Sequence, residues 1–189
     1  MSQVTKKALS RSLKNMLMQK PFSKITVADI ATDCGVSRMA FYYYFADIYD
    51  LVEWTCEEDA RTAIAMNKTQ ETWQQGFLNL FNTVAENRPF IMNVYHSVSR
   101  EHIERYLYTT TYKLISDVVE EKAKEIQVPE DDKNFIIDFY KYVFVGIMIN
   151  WVQGGMREDP QSIVSRLCIM IHGDIDRSLE RFQADESQL

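Results

Sequence analysis

Arg38, Tyr42, Tyr43 and Tyr44 lie in the run GVSRMAFYYYFAD, Gly35–Asp47, where three phenols stand side by side between Phe41 and Phe45. These groups suit a polyanion made of phosphates and bases. A phenolic hydroxyl donates to a phosphate oxygen, its ring lies against a sugar or a thymine methyl, and a guanidinium can pair bidentately with guanine O6 and N7. A protein core wants fewer hydroxyls and a solvated surface wants fewer rings, so the row requires an element with two unlike sides. On a helix turning ~100° per residue, Phe41 and Phe45 fall about 40° apart and share a side. Tyr42 and Tyr43 point roughly 100° and 200° away from Phe41, and Tyr44 lies about 60° away on the other flank. The phenylalanines are then anchors, Tyr42 and Tyr43 face outward, and Tyr44 sits at the boundary. The competing use of the row is a helix end packed beneath the following helix.

Other chemistry finds no comparable constellation. His96 and His102 are six positions apart, which suits one helical face poorly, and His172 is distant. No HxxxH, HExxH, P-loop, GxGxxG or GxSxG pattern occurs, so no catalytic set, metal site or cofactor is expected. An enzyme would need titratable groups converging on a cavity, and nothing in the spacing points to them. Cys34, Cys56 and Cys168 form neither a CxxC pair nor a disulfide framework, which fits a reducing cytoplasm. The start of the chain lacks the charged and apolar regions of a signal peptide. The longest apolar stretch, Phe135 to Val152, carries Asp138, Lys141 and Asn150 and is a poor membrane span.

The 189 residues are 46% hydrophobic, enough for a folded core. Net charge is −6, yet it is unevenly spread. Seven Lys or Arg against four Asp leave residues 1–50 at +3, so the remainder carries −9. A small basic head on an acidic body suggests that the head alone meets a polyanion.

Gly and Pro number only six and four, and apolar residues recur with a helical period nearly everywhere. The expected fold is all-α, with about nine helices. The first runs over roughly 5–19 on Leu9, Leu13, Met16 and Leu17. Thr26 caps a second helix that ends at Gly35, Ser37 caps a short third, and Asp47 caps a fourth reaching about Met66. A fifth carries Trp73, Phe77, Leu80, Phe81 and Val84, a short sixth starts at Pro89, and a seventh spans about Arg100 to Ile126. The eighth, NFIIDFYKYVFVGIMINWVQGG, is apolar on nearly every side and must be buried on most faces. Asp159-Pro160 opens the ninth, with an apolar stripe from Val164 to Leu179.

Helices two and three, separated only by Gly35 to Ser37, make a helix-turn-helix, whose second helix enters the major groove. Ile30 and the small Ala31 face the partner helix, Gly35 makes the turn, and Val36 fills the corner. The run TVADIATDCGVSRMAFYYYFADIYDLV resembles the DNA-binding signature of the TetR family of bacterial transcriptional regulators, through Thr26, Ile30, Ala31, Gly35, Val36, Ser37, Phe41, Tyr42, Tyr44, Phe45 and Leu51. The later Trp-Val-Gln-Gly-Gly-Met, 151–156, followed by Pro160, is similar to the C-terminal domain type of the dihydroxyacetone-kinase operon activator. The resemblance implies a helix-turn-helix DNA-binding domain over 1–48 and an effector-binding and dimerisation domain over 49–189. It implies that Lys24 and Thr26 meet phosphate at the start of helix two, that Ser37, Arg38, Met39 and Tyr43 face the groove, and that Tyr42 and Tyr44 hold phosphates. Two positions depart from the pattern. Ile48 stands where a phosphate-binding Lys is common, and Ala40 where Thr is common.

On this reading the chain is a cytoplasmic, ligand-responsive regulator, repressor or activator, that reads a palindrome as a homodimer. Its recognition helices would sit about one DNA turn, ~34 Å, or a multiple of it apart. Helices eight and nine would form a four-helix bundle with their symmetry mates through Phe144, Met148, Trp151, Val164, Cys168, Ile171 and Ile175. The eighth helix could equally be the central core of one chain. The resemblance also implies a small-molecule effector pocket, with Trp73, Phe77, Met92, Tyr95, Tyr108 and Tyr112 as its candidates. The alternative function is a helical interaction protein that keeps the fold without reading DNA, which Ile48 and Ala40 would favour.

Overall fold

The scarcity of helix breakers is realised as helix after helix. The computed structural model describes residues 2–64, 73–97, 100–171 and 173–186. Among these residues are ten α-helices and no strand: α1 Ser2–Leu17, α2 Val27–Asp33, α3 Arg38–Tyr44, α4 Ile48–Ile64, α5 Trp73–Glu86, α6 Arg88–Ser97, α7 Arg100–Lys122, α8 Glu130–Gln153, α9 Pro160–Ile171 and α10 Asp174–Glu186. The stripe expected to form one ninth helix is divided between α9 and α10, with Gly173 at φ 72° just before α10. Met66 and His172 lie outside the described residues.

The chain falls into two compact units. One is Met1–Asp59 with Glu86–Tyr106, the other Ala60–Ala85 with Leu107–Leu189. The first is the head. Its core joins Leu9, Leu13 and Leu17 of α1, Ile30 of α2, Phe41 and Phe45 around α3, and Leu51 and Val52 of α4. Phe90 and Val94 of α6 close the same core, so this unit reaches beyond the contiguous stretch 1–48 drawn from the sequence. Polar clips fix α1 at its margins. Ser12 Oγ donates to Asp33 Oδ2 at 2.6 Å, Asn93 Nδ2 donates to the Leu17 carbonyl at 2.9 Å, and Lys7 and Lys14 pair with Glu58 and Asp59 at 3.2 and 2.5 Å.

The turn between α2 and α3 follows from one glycine. The Gly35 N–H donates to the Thr32 carbonyl and the Val36 N–H to the Ala31 carbonyl, at 3.0 and 2.9 Å, while Gly35 takes φ 66°. This pair of bonds around a left-handed residue satisfies the last carbonyls of α2 and reverses the chain. A Cβ at Gly35 would meet no atom within 4 Å, so only backbone conformation selects glycine here. Gly35→Ala is therefore expected to cost about 1–2 kcal/mol in a denaturant melt, with Gly35→Asn costing visibly less because Asn tolerates this region.

In the second unit, α8 buries Ile136, Ile137, Tyr140, Phe144, Val145, Met148, Ile149, Trp151 and Val152. Phe144 lies 4.0 Å, centroid to centroid, from Phe77 and 5.9 Å from Trp73, and Phe81 lies 5.1 Å from Trp151. α8 closes with the same glycine device as α2. The Gly155 and Met156 N–H groups donate to the Val152 and Trp151 carbonyls, and Gly155 has φ 77°. Asp159 then caps α9, its carboxylate accepting from the Ser162 N–H at 2.9 Å. A salt bridge between Lys122 and Asp176 ties α10 to the end of α7.

Candidate nucleic-acid interface

α3 has only seven residues, too few to be stable alone, so its position depends on what it is attached to. Ser37 starts it, accepting from the Ala40 N–H at 3.1 Å. Phe41 and Phe45, 0% and 2% exposed, fix its inner side, their rings 5.8 Å apart and Phe45 a further 5.8 Å from Trp54. The opposite side carries Met39 and Tyr43, one helical turn apart and 77% and 80% exposed. Tyr42 is 51% exposed and meets Phe41 edge-on at 5.6 Å, with exposed Arg38 one turn before it. Tyr44 is half-buried, its ring 4.9 Å from that of Tyr43 in an edge contact. The aromatic row thus divides into a core pair, an outward pair and a boundary residue.

The N-terminus of α2 adds a second polar edge. Thr26 and Asp29 form a reciprocal cap: Thr26 N–H donates to Asp29 Oδ2 at 2.9 Å and Asp29 N–H to Thr26 Oγ1 at 3.2 Å. The Thr26 N–H, then the Thr26 hydroxyl and Lys20 at 3.4 Å, hold the Asp29 carboxyl below the usual carboxylate range. A depressed carboxylate stabilises the fold above its unfolded pKa, and that contribution is lost as pH falls through the folded value. Asp29→Asn is therefore expected to be less stable than the parent at pH 7, with the deficit shrinking below about pH 4. Unfolding curves at both pH values measure this. Lys24 and Arg38 are exposed and have no ion pair among the described residues, so both charges are available to a polyanion. Ile48 is half-buried against the head core and serves packing rather than phosphate contact.

The eight residues expected to meet DNA thus gather at α3 and at the start of α2. The effector candidates are more dispersed. Met92 and Tyr95 belong to α6 in the first unit, and Trp73, Phe77, Tyr108 and Tyr112 to the second. Trp73 and Phe77 are close-packed core, whereas Tyr108 is half-buried and Tyr112 exposed. Of the residues expected at a dimer seam, Phe144, Met148, Trp151, Val164 and Ile175 are buried within their own chain, and Cys168 and Ile171 are partly covered. That places five of the seven inside one chain rather than on its surface. The apolar groups left outside are Phe135, Phe139 and Tyr142 on α8 and Ile169 and Met170 on α9, each more than half exposed. The signal for them is the spacing 135, 139, 142 and 146 along α8, a single helical stripe that overall apolarity conceals.

Comparisons with known proteins agree with this architecture. The family model for bacterial regulatory proteins of the tetR family matches residues 13–54. A second model, a transcriptional regulator C-terminal region, matches residues 71–173, more than half of the chain. The HTH-type dhaKLM operon transcriptional activator DhaS of Lactococcus lactis subsp. lactis (strain IL1403) is 26% identical over 135 residues, which are 70% of this chain and 71% of that protein. The solved structure of the dihydroxyacetone kinase operon activator DhaS has a TM-score of 0.72 at 20% identity, covering 92% of this chain and 97% of that one. A tetR-family transcriptional regulator from Streptomyces coelicolor has a TM-score of 0.61 at 12% identity, covering 97% and 90%. At those identities the structures speak for the fold, and the family models carry the assignment. The chain belongs to the TetR family and is a DNA-binding transcriptional regulator, not an enzyme.

Proposed function

We propose that two copies of this chain pair through α8 and α9 and present their α3 helices to successive major grooves of a palindromic operator. The observation that carries the reading is the division of α3 into a buried phenylalanine side and an exposed side bearing Arg38, Met39, Tyr42 and Tyr43. On it, Ser37, Arg38, Met39 and Tyr43 face base edges, while Lys24, Thr26, Tyr42 and Tyr44 hold phosphates. Residues 1–48 carry this DNA-binding role and 49–189 the effector and pairing roles. The pairing has its own support. Phe135 and Phe139 make an apolar row on α8 with the exposed Gly146 in line, and α9 separately exposes Ile169 and Met170. Such a surface suits an isologous contact between like helices.

A small-molecule effector controls the spacing of the two heads, and does so only as far as it binds one spacing better than the other. Such a regulator works beside the chromosome, in the cytoplasm. Selection of bound genomic fragments at low salt, followed by sequencing, tests the reading. The expected result is a palindromic motif bound with an affinity that falls steeply as salt rises. Recovery of no fragment, or of fragments without two-fold symmetry, contradicts it.

A further inference from the structure

Lys141 on α8 makes a contact set that DNA reading does not use. Its ammonium lies 4.6 Å from the ring centroid of Tyr142, 5.6 Å from Tyr112 and 5.8 Å from Tyr108, and 2.6 Å from Asp138 Oδ1. Three rings on one cation is a high density, since a significant cation–π contact occurs about once per 70–80 residues. The rings are held in place: Tyr108 and Tyr142 meet at near right angles at 5.4 Å, and the Tyr112 hydroxyl donates to Asn134 Oδ1 at 3.2 Å. Several aromatic faces and a carboxylate around one ammonium are the recognition chemistry of organic cations.

We propose that this cluster is a binding site for a small quaternary or alkylated ammonium compound, and that Lys141 is its resting occupant. The plug is displaceable. Lys141 is held by a carboxylate three residues away on its own helix, itself 45% exposed, and its flexible four-carbon stem can swing the ammonium into water. Tyr112, on α7 and off the α8 stripe proposed to pair, is partly open to solvent, so an incoming cation has access. A methylated ammonium loses less hydration than the lysine head when it enters, and replaces the same ring and carboxylate contacts. The site also gives the effector a chemical class. It rests on the effector reading only for the step from binding to a change in operator affinity.

The test uses the full-length protein with choline as probe and 3,3-dimethylbutan-1-ol, its uncharged isostere, as control, at constant ionic strength. Lys141→Ala empties the cluster and is expected to bind choline about ten-fold more tightly than the parent by calorimetry. Adding Tyr112→Leu is expected to abolish the gain. In the unmutated protein, the ring-shifted ε-methylene resonance of Lys141 is expected to move toward its solvent value as choline is added, which serves even if Lys141→Ala folds poorly. An unchanged choline affinity in Lys141→Ala, equal binding of the neutral isostere, or a stationary Lys141 resonance overturns the proposal. Choline binding that leaves operator affinity unaltered upholds the site and removes only its effector role.

Discussion

Phe41→Ala is expected to destabilise the head by about 3–5 kcal/mol, the range for truncating a fully buried phenylalanine. Phe41 is completely buried and touches Phe45 and Tyr42, and its helix is too short to hold its shape without it. The loss therefore combines apolar transfer, an unfilled cavity and the anchoring of α3. Tyr43→Ala, two positions on, removes a ring that is 80% exposed and is expected to change stability by no more than about 0.5 kcal/mol. Denaturant melts of the two variants measure the contrast. Operator binding is expected to suffer in both, through unfolding in one and through lost contact in the other. Equal destabilisation by the two changes would mean that the aromatic row is one packed block.

On the proposed pairing of two copies through α8, Gly146→Leu is expected to convert dimer to monomer. Within one chain a Cβ at Gly146 meets no atom within 4 Å, and the residue sits inside a helix, where glycine costs about 1 kcal/mol relative to alanine. Among the described residues nothing explains a glycine there. The proposed pairing, with a second helix crossing close to the row of Phe135 and Phe139, would. Overpacking costs about 1–3 kcal/mol per site and an isologous interface counts it twice, so the dimer is expected to weaken by about 2–6 kcal/mol. Analytical ultracentrifugation reads the shift, and far-UV circular dichroism is expected to stay unchanged. A Gly146→Leu protein that remains dimeric places the seam elsewhere.

Much of this was legible in the sequence because the relevant physics is local. Thr26, Gly35, Ser37 and Asp159 act on backbone groups within a few residues, and each does in the structure what its type and spacing predict. The angular division of Phe41 to Phe45 needs only the helical repeat and an inside. What was not legible depends on which neighbour covers which face. Phe144 and Trp151 read as seam residues because α8 is apolar all round, but α5 supplies Phe77 and Phe81 to cover them from within the chain. The outer row at Phe135, Phe139 and Gly146 is what remains. Likewise Phe90 and Val94 belong to the head's core although they lie far along the chain from the helix-turn-helix, which ends at Tyr44, a long-range pairing that no periodicity announces.

The most direct test of the central claim, that the outward side of α3 reads DNA, is a fluorescence-anisotropy titration of the selected operator with the Arg38→Ala, Tyr42→Phe double variant. Neither change removes a buried contact, so the fold is expected to persist. On the proposed roles, losing the Arg38 guanidinium from guanine and the Tyr42 hydroxyl from phosphate in each half-site is expected to weaken binding by about 100-fold or more. Operator affinity equal to that of the unmutated protein, with the fold intact, would contradict the account.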